Sequence, residues 1–423
     1  MITLAIFGSL FLFMLLRVPI AVALGLSSVI GLLLSDISLE IAAQRMLSTN
    51  NSFPLLAIPF FILAGEIMST GGMSRRLVNF AGSLVGHLTG GLGAVAILGS
   101  SFFAALSGSN AATVAAIGGV MNAPMEEKGY RPQYTAATIA AAGVTGMIIP
   151  PSILLILYGV VTGVSIADLF LAGMLPGILI CLSMLSLNWF LARREGIERT
   201  EFQGTAEIWA NFKIAFWPLL MPVIILSGIY GGVFTPTEAA IVAVLYGLVV
   251  GLMYRELTLA DLYRAFRRAV ISSAVVMFIM NCAGVFAWLI TINQIPQSIS
   301  SYLAEAAGSP LVYLLLVNVF LLLVGCIMNA AAAIVIFTSI LYPAAMSFGV
   351  DPVLFGIIMA VNLSIGTVTP PLGVDLFIAS AVTKVAIERI VVAIWPYILV
   401  LLADLLLITY VPPISTFLVD VFR

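Results

Sequence analysis

The sequence predicts an all-α integral membrane protein built from two copies of one structural unit. Of its 423 residues, 62% are hydrophobic and 9% are charged, whereas soluble domains carry about 25% charged residues. Apolar runs of about 20 residues, the length that crosses a bilayer as a helix, recur from end to end. Long stretches of alternating polar and apolar residues do not occur, so helices are favoured over an outer-membrane barrel.

The first apolar run, ITLAIFGSLFLFMLL, is similar in length to a signal peptide but lacks a basic n-region and a small-residue cleavage site. We therefore expect it to be retained as a helix. The cysteines Cys181, Cys282 and Cys326 lie in apolar context without paired spacing, so neither a disulfide framework nor a metal cluster is expected. The single histidine, His87, leaves little material for a histidine-dependent active site.

An internal repeat relates the two halves of the chain. The segment GMIIPPSILLILYG begins at Gly146 and GTVTPPLGVDLFIA begins at Gly366, an offset of 220 residues. Residues 17–200 hold eight prolines, and four of them have a proline 220 positions later. Chance predicts roughly 0.4 such matches, so the repeat is more than shared apolar composition. At an offset of 219, Asn110 in ALSGSNAAT aligns with Asn329 in GCIMNAAAA.

The distribution of charge predicts that the two copies lie in opposite orientations in the membrane. Lys and Arg cluster in the connectors 193–213 and 254–268, and such an excess marks cytoplasmic loops. The counterpart of the second connector is 35–50, which is net acidic despite Arg45 and suits the outer side. Inverted repeats with broken helices are typical of secondary transporters, whose sites lie near the bilayer midplane where the copies meet.

This orientation predicts the order of segments in each copy. We expect two spans, an interfacial arm, a third span, a re-entrant hairpin, a helix broken at its Pro-Pro pair and a final span. The predicted divisions are 1–53 for the first scaffold helices and arm, 54–192 for the first transport half with its break at Pro150, 193–213 for a cytoplasmic connector, 214–270 for the second scaffold helices and arm, and 271–423 for the second transport half with its break at Pro370.

The polar interruption in the first copy has the chemistry of a cation site. A helix broken within the bilayer frees backbone carbonyl and N–H groups, which are costly unless something binds them. Ser107, Ser109 and Asn110 offer side-chain oxygens, and Pro150-Pro151 leaves carbonyls of the preceding turn without intrahelical partners. A mainly neutral set of oxygens suits a monovalent cation such as Na⁺. The alternative interpretation is close packing of membrane helices through small residues.

The second copy repeats this arrangement with different residues. Its small, oxygen-bearing and helix-breaking residues are Gly325, Asn329, Gly366, Thr367, Thr369, Pro370 and Pro371. The half-helices that restart after each break direct positive dipole ends at the space between them, which favours an anionic substrate. Asp375 falls about one turn into the second restarting helix. We expect it at the second cation site or in the substrate cavity, with a structural pairing as the alternative.

Three further acidic residues are interpreted as structural. Glu66 is expected to pair with Arg75 or Arg76 near the cytoplasmic end of its span. Glu238 follows a proline and is expected to serve the first turn of a helix. Asp404 lies near a predicted span end and is expected to extend towards the interface.

Five motifs resemble the large membrane subunit of the tripartite ATP-independent periplasmic (TRAP) transporters. They are FPLLAIPFFILAGEIM (53–68), ALSGSNAATVAAIG (105–118), MIIPPSILLILYG (147–159), GGVFTPTEAAIVA (231–243) and GTVTPPLGVDLF (366–377). The resemblance implies an elevator-type transporter of the bacterial inner membrane that couples Na⁺ to the uptake of an organic acid anion. It also implies two partners, a small four-helix membrane subunit and a periplasmic substrate-binding protein. Because the chain starts directly at the large subunit, we expect the small one to be a separate polypeptide.

The resemblance also implies site residues. The Na⁺ ligands would be Ser107, Ser109, Asn110 and Gly146 in the first copy, and Gly325, Asn329, Gly366, Thr369 and Asp375 in the second. The substrate cavity would be lined by Ser107, Pro150, Pro151, Thr367, Pro370 and Asp375. Met328 stands where the first copy has Ser109, so the second site is expected to rely on carbonyl oxygens or on Asp375.

Other functions remain as alternatives at this point. A stand-alone divalent-anion/Na⁺ symporter would share the inverted-repeat plan, a channel would also be a membrane bundle, and an intramembrane protease would use Ser107 or Ser109. Sialic acid, C4-dicarboxylates and other sugar acids all stay open as substrates, because no arginine falls at predicted midplane depth to hold a carboxylate. The lipid bilayer is an expected partner, and nucleic acid is not.

Overall fold

The computed structural model describes residues 2–197, 199–202 and 204–422, and every regular element in that part of the chain is a helix. Met1, at the start of the predicted first span, and Glu198 and Gln203, in the predicted 193–213 connector, lie outside the described residues. The helices of the first half are α1 (Ile2–Leu15), α2 (Ile20–Leu34), α3 (Glu40–Asn50), α4 (Ala57–Thr70), α5 (Met73–Val85), α6 (Gly91–Ser107), α7 (Asn110–Glu127), α8 (Pro132–Gly143), α9 (Ile153–Thr162) and α10 (Ile166–Arg194).

The second half follows a similar order, except that one long helix takes the place of α3 and α4. Its helices are α11 (Thr205–Tyr230), α12 (Pro236–Met253), α13 (Leu259–Ile292), α14 (Ile295–Ala307), α15 (Pro310–Ile327), α16 (Ala330–Ser347), α17 (Pro352–Gly366), α18 (Val374–Thr383), α19 (Ile387–Tyr410) and α20 (Pro413–Phe422). Short 3₁₀ segments, Phe53–Leu56 and Val144–Met147, precede α4 and follow α8.

The hairpins and the broken helices of the two halves correspond. The helix pair α6–α7 corresponds to α15–α16, and the helix broken around Pro150 (α8 and α9) corresponds to the one broken around Pro370 (α17 and α18). The copies also exchange contacts, because α7 of the first copy packs on α18 of the second while α16 packs on α9. This reciprocal exchange is the contact pattern of two interlocked, pseudosymmetric units.

Eight helical segments of the described chain are long and apolar enough to cross a membrane, the longest being α13 with 34 residues and α10 with 29. Two helices predicted as spans are shorter. The first, α1, has 14 residues and α2 has 15, whereas a perpendicular span needs about 20. The half-helices α9 and α18 have 10 residues each, as expected when a span is broken near its middle.

Both predicted cytoplasmic connectors are shorter than expected. Helix α10 continues to Arg194 and α11 already begins at Thr205, so the 193–213 connector is reduced to 195–204. Similarly α13 begins at Leu259, which leaves 254–258 as the second connector. A cluster of charged residues predicts a loop, but on an amphipathic helix such residues occupy the polar face without interrupting the helix.

The predicted division at residue 270 between the second arm and the following span is wrong as a structural boundary, because α13 is continuous through it. Thr258 and Asp261 form a capping box at its start, which satisfies the free N–H groups of the first turn. In the first copy Pro54 separates the arm α3 from α4, and the residue 220 positions later is Ala274. Without a proline the arm and the span join into one helix.

The packing separates an outer group of helices from a central one. Helix α4 packs on α12 and α13, and α13 packs on α2 as well. The predicted division at residue 54 instead places α4 with the hairpin. The broken helices form the central group, where Tyr134–Gly143 of α8 and Val353–Gly366 of α17 are buried throughout.

Candidate functional site

The tip of the first hairpin is a tight turn between α6 and α7. Helix α6 ends at Ser107, Gly108 adopts a left-handed conformation with φ 61°, and α7 begins at Asn110. The Ser109 hydroxyl oxygen accepts a bond from the Ala112 amide at 3.4 Å and so caps α7. The Ser107 hydroxyl lies 3.0 Å from that of Thr113. The two serines predicted as ligands are therefore already engaged in holding the turn.

This tip rests directly on the break in the helix of its own copy. The Ile153 amide donates to the Gly108 carbonyl at 3.4 Å. A Cβ placed on Gly146 would lie 2.6 Å from the Ser109 carbonyl oxygen and 2.8 Å from the Asn110 amide nitrogen. Only a residue without a side chain allows this approach. The structure thus brings Gly146 against Ser109 and Asn110, as the sequence predicts.

Asn110 also reaches the second copy. Its Nδ2 donates to Thr367 Oγ1 at 2.9 Å, and Thr367 Oγ1 lies 2.5 Å from Asp375 Oδ2 and 2.6 Å from the Ser364 carbonyl oxygen. The Asp375 amide donates to the Thr367 carbonyl at 3.0 Å. We call Asn110, Ser364, Thr367 and Asp375 the coupling cluster. It joins the tip of the first hairpin to the break of the second copy.

The Thr367 hydroxyl has one proton but makes short contacts to two acceptor oxygens. The single hydroxyl proton is available for either the Ser364 carbonyl or the Asp375 carboxylate, and Asn110 already donates to the same oxygen. If Asp375 is ionised, one of the two short oxygen–oxygen contacts brings lone pairs together. A proton on Asp375 or a cation among these oxygens removes that repulsion.

Three oxygens of the coupling cluster have no hydrogen-bond partner. They are Asn110 Oδ1, Ser364 Oγ and Asp375 Oδ1, and their residues are at most 1% exposed. No ion pair to Asp375 occurs within the described part of the chain. An uncompensated carboxylate is costly in a membrane interior. An amide, a hydroxyl and a carboxylate oxygen form a donor set suited to a hard cation.

The hairpin of the second copy has a different environment. Gly325 and Gly366 pack backbone to backbone, since a Cβ on Gly366 would lie 2.5 Å from the Gly325 Cα. Asn329 is exposed, and its side chain accepts a bond from the Ala331 amide at 2.9 Å. Thr369 Oγ1 donates to the Ile365 carbonyl of its own helix at 2.8 Å. Asn329 therefore caps α16, while its counterpart Asn110 is fully buried.

The residues predicted to line the substrate cavity are mostly enclosed. Ser107, Pro150, Pro151, Thr367 and Asp375 are buried and Pro370 is half-buried. They line neither a cavity of about 520 Å³ between α3, α9, α13 and α16 nor an apolar one of about 360 Å³ between α6, α10 and α11.

Sequence reasoning missed the contributions of Ser364 and Gly65. Ser364 is a hydroxyl residue in a largely apolar helix, two residues before Gly366, and that position is the signal that could have found it. A Cβ on Gly65 of α4 would lie 3.2 Å from the Ser107 Cα, so this glycine lets the hairpin tip approach the outer helices. Such a contact between distant segments leaves no periodic signal in the sequence.

The predicted pairing of Glu66 with Arg75 or Arg76 is wrong. Arg268 of α13 lies 3.8 Å from the Glu66 carboxylate, and Arg76 instead pairs with Glu256 at 2.8 Å. Glu66 lies on the face of α4 that packs against α13, so its nearest cation comes from that helix rather than from the next turn of the chain.

The structure confirms the predicted role of Glu238 and corrects that of Asp404. Glu238 forms a capping box with Thr235 at the start of α12, which confirms the predicted role in the first turn. Asp404 does not extend to the interface, because it is 3% exposed and accepts a bond from the Ser183 hydroxyl at 2.5 Å. It lies six residues before the end of α19, on the face that packs against α10.

Comparison with known proteins identifies the chain. The family model of the DctM component of the tripartite ATP-independent periplasmic transporters matches residues 7–414. The chain belongs to this DctM family. With its eight candidate spans, this DctM protein is a multi-pass protein of the inner membrane.

Two curated relatives illustrate the range of the family. A C4-dicarboxylate TRAP transporter large permease protein, DctM, of Pseudomonas aeruginosa is 43% identical over 395 residues, which cover 93% of this chain and 92% of the relative. An isethionate TRAP transporter permease protein, DctMQ, of Oleidesulfovibrio alaskensis is 42% identical over 419 residues, 97% of this chain. The match covers 65% of that relative's length.

The fold also occurs in a solved structure. The crystal structure of the Alcanivorax borkumensis YdaH transporter superposes with a TM-score of 0.65 over 88% of each chain at 18% sequence identity. At this identity the likeness concerns the fold, and it agrees with the helical membrane architecture of this DctM protein.

Proposed function

We propose that this DctM protein is the Na⁺-coupled permease that carries an organic acid anion across the inner membrane. At least two Na⁺ would bind with or before the substrate, one at the coupling cluster and one at the hairpin of the second copy. The substrate would be delivered by a periplasmic binding protein, and a small four-helix subunit would complete the membrane part.

One observation carries this proposal, namely the coupling cluster with its three unpartnered oxygens. Asn110 Oδ1, Ser364 Oγ and Asp375 Oδ1 belong to a hairpin tip and a broken helix that meet at Thr367, and none of them has a hydrogen-bond partner among the described residues. Asp375 also lies in the first turn of α18, whose N-terminal dipole stabilises negative charge. The cluster is therefore suited to hold a cation beside an anionic substrate. Because it links both copies, binding there would fix their relative arrangement.

The packing supports an elevator motion of the central helices against the outer ones. We assign α6 to α10 and α15 to α20 to the moving body, and α1 to α4 and α11 to α13 to the scaffold. Helices α4 and α13 belong to the scaffold in this proposal because α4 packs on α12 and α13 packs on α2. The short helices α5 and α14 would connect the two bodies. The 195–204 loop and the other Arg-rich segments would lie on the cytoplasmic side.

The names of the relatives support an acidic substrate without selecting one. One relative is named for C4-dicarboxylates and the other for isethionate, a sulfonate. No arginine enters the coupling cluster, so it offers little side-chain discrimination between such anions. We therefore expect selectivity to be set mainly by the periplasmic binding protein.

Reconstitution tests the proposal. The full chain, its small subunit and the binding protein from the same gene neighbourhood would be placed in proteoliposomes with labelled succinate, isethionate or N-acetylneuraminate outside. An inward Na⁺ gradient is expected to drive accumulation of one anion, with K⁺ unable to replace Na⁺. Equal uptake without Na⁺ would overturn the coupling. Uptake that needs no binding protein would favour a stand-alone symporter, and cleavage of a labelled peptide would favour a protease.

A further inference from the structure

A second polar region lies between the two proposed bodies, away from the coupling cluster. It is a cavity of about 520 Å³ between α3 and α13 on one side and α9 and α16 on the other. Hydroxyl residues from all four elements line it, including Thr49, Thr162, Thr291 and Ser339. None of the coupling-cluster residues contributes to its wall. We call this space the outer cavity, because the ends of α9, α13 and α16 that surround it lie on the side of the membrane predicted to face outward.

Four hydroxyl groups of the outer cavity present oxygen lone pairs rather than protons. Thr49 donates to the Arg45 carbonyl at 2.9 Å, and Thr162 to the Tyr158 carbonyl at 2.8 Å. Thr291 and Ser339 donate to carbonyls one turn earlier at 2.7 and 3.1 Å. With their protons used in this way, these oxygens act as acceptors. They match a ligand that carries hydroxyl or amide N–H donors.

The rim of the outer cavity carries a positive charge. The Arg45 guanidinium lies 4.8 Å from the centre of the Trp288 ring, and Trp288 lines the cavity. Arg45 is exposed and forms no ion pair within the described residues. A guanidinium stacked on an aromatic ring keeps its N–H edge free to bind a carboxylate or a sulfonate.

Arg45 is also isolated among charges of the opposite sign. The other Lys and Arg residues of the described chain lie in segments placed on the cytoplasmic side, which are 16–18, 72–76, 128–131, 193–213, 255–268 and 384–389. The outward helix ends instead carry acidic residues, which are Asp36, Glu40, Asp168, Glu238 and Asp351. Among the described residues, these acids repel an approaching anion, and Arg45 attracts it at the rim of the outer cavity.

We propose that the outer cavity is a vestibule that receives a hydroxylated organic acid before it reaches the coupling cluster. The acid group binds Arg45, and hydroxyl or amide groups of the ligand donate to the threonine and serine oxygens of the wall. This inference rests on the proposed function, which supplies the inward direction of transport. Because one wall is scaffold and the other belongs to the moving body, an elevator motion changes the size of the vestibule and releases its ligand inward.

Charged thiol reagents test the vestibule without knowledge of the natural substrate. Ser339→Cys would be introduced into the full chain after replacement of Cys181, Cys282 and Cys326, and labelled from outside in intact membranes. The probes are the anionic sulfonatoethyl and the cationic trimethylammonioethyl methanethiosulfonates, with each rate normalised to a free thiol. We expect the anionic reagent to be favoured by at least about threefold. Arg45→Gln should remove that preference, and Arg45→Lys should keep it.

Val233→Cys, in the outward loop between α11 and α12, is the matched control, since its reagent preference should not respond to Arg45→Gln. An unchanged preference at Ser339→Cys in the Arg45→Gln protein, or no labelling of Ser339→Cys by either reagent, would overturn the vestibule. In proteoliposomes Arg45→Gln should raise the half-saturating anion concentration about tenfold and leave that for Na⁺ unchanged. If uptake by the unaltered protein did not depend on Na⁺, the proposed Na⁺ coupling would be refuted but the vestibule would not, because the labelling result does not depend on Na⁺.

Discussion

Asn110 and Thr367 are 257 residues apart in the chain, and the Asn110 side-chain amide donates to the Thr367 hydroxyl oxygen at 2.9 Å. This bond joins the tip of the first hairpin to the broken helix of the second copy. The same hydroxyl contacts Asp375 Oδ2, and both Asn110 Oδ1 and Asp375 Oδ1 lack a hydrogen-bond partner among the described residues. The cation site proposed for this protein is therefore shared between the copies.

Asn110→Ala removes one ligand oxygen and the bond that links the copies. Because a neutral hydrogen bond contributes about 0.5 to 1.5 kcal/mol and a ligand oxygen is lost with it, we expect the half-saturating Na⁺ concentration to rise about tenfold, about 1.4 kcal/mol. Na⁺-dependent uptake in proteoliposomes measures this. Asn211→Ala is the control, because its side-chain amide donates to the Glu207 carbonyl one turn earlier on α11 at 3.2 Å, so a smaller effect is expected there. Equal shifts in the two variants would contradict the assignment of Asn110 to the site.

Thr367→Val keeps the shape of the side chain and removes the hydroxyl at the centre of the coupling cluster. We expect loss of Na⁺ activation by about tenfold or more, because Asn110 and Asp375 then lack their shared partner. Thr383→Val is the matched control on α18, since its hydroxyl donates only to the Ala379 carbonyl at 2.7 Å. The test is a comparison of Na⁺ titrations of uptake. Indistinguishable titrations for Thr367→Val and the unaltered protein would refute the role of Thr367.

Gly366→Ala should destabilise the fold. A Cβ there would lie 2.5 Å from the Gly325 backbone, and overpacking of this kind costs about 1 to 3 kcal/mol. Gly119→Ala on α7 is the control, because nothing lies within 4 Å of its added Cβ, and alanine is the better helix former. Thermal unfolding of the purified protein in detergent measures both. A melting temperature for Gly366→Ala as high as that of Gly119→Ala would show that the two glycines do not need to touch.

Arg76→Ala should lower stability more than Arg268→Ala. Arg76 pairs with Glu256 at 2.8 Å, donates to the Gly72 carbonyl at 2.9 Å and lies 3.7 Å from the centre of the Tyr254 ring. Together these contacts are expected to contribute about 1 kcal/mol or more. Arg268 contacts Glu66 only at 3.8 Å and is largely exposed, so its removal should have little effect. Melting temperatures at low ionic strength compare the two, and a reversed order would contradict the prediction.

Sequence reasoning located the breaks and the turn of the site but not the contacts between them. Proline pairs, a glycine and a 220-residue offset are local or periodic features, so the interruptions near Pro150 and Pro370 could be predicted. Alignment of the copies pairs Asn110 with Asn329, but in the folded chain Asn110 contacts Thr367. The two copies exchange contacts in the folded protein. This exchange depends on tertiary packing, which the repeat offset in the sequence does not reveal.

The same limit explains the errors around charged residues. The positions of Arg264 and Arg268 predict a connector, but both residues lie on α13. This helix continues because it lacks a proline where the first copy has Pro54. Asp404 was placed at an interface because of its distance from the end of a span. Its partner Ser183 belongs to a helix of the other copy, so burial could not be inferred from its own segment.

Direct binding of Na⁺ to the purified protein tests the central claim. At constant ionic strength, replacing choline with Na⁺ should raise the melting temperature of the unaltered protein in a saturable manner, because a ligand that binds only the folded state stabilises it. Asp375→Asn should abolish most of this rise, whereas Asp404→Asn, which alters a buried carboxyl group bonded to Ser183, should keep it. The same Na⁺-dependent rise in Asp375→Asn as in the unaltered protein would contradict a Na⁺ site at the coupling cluster.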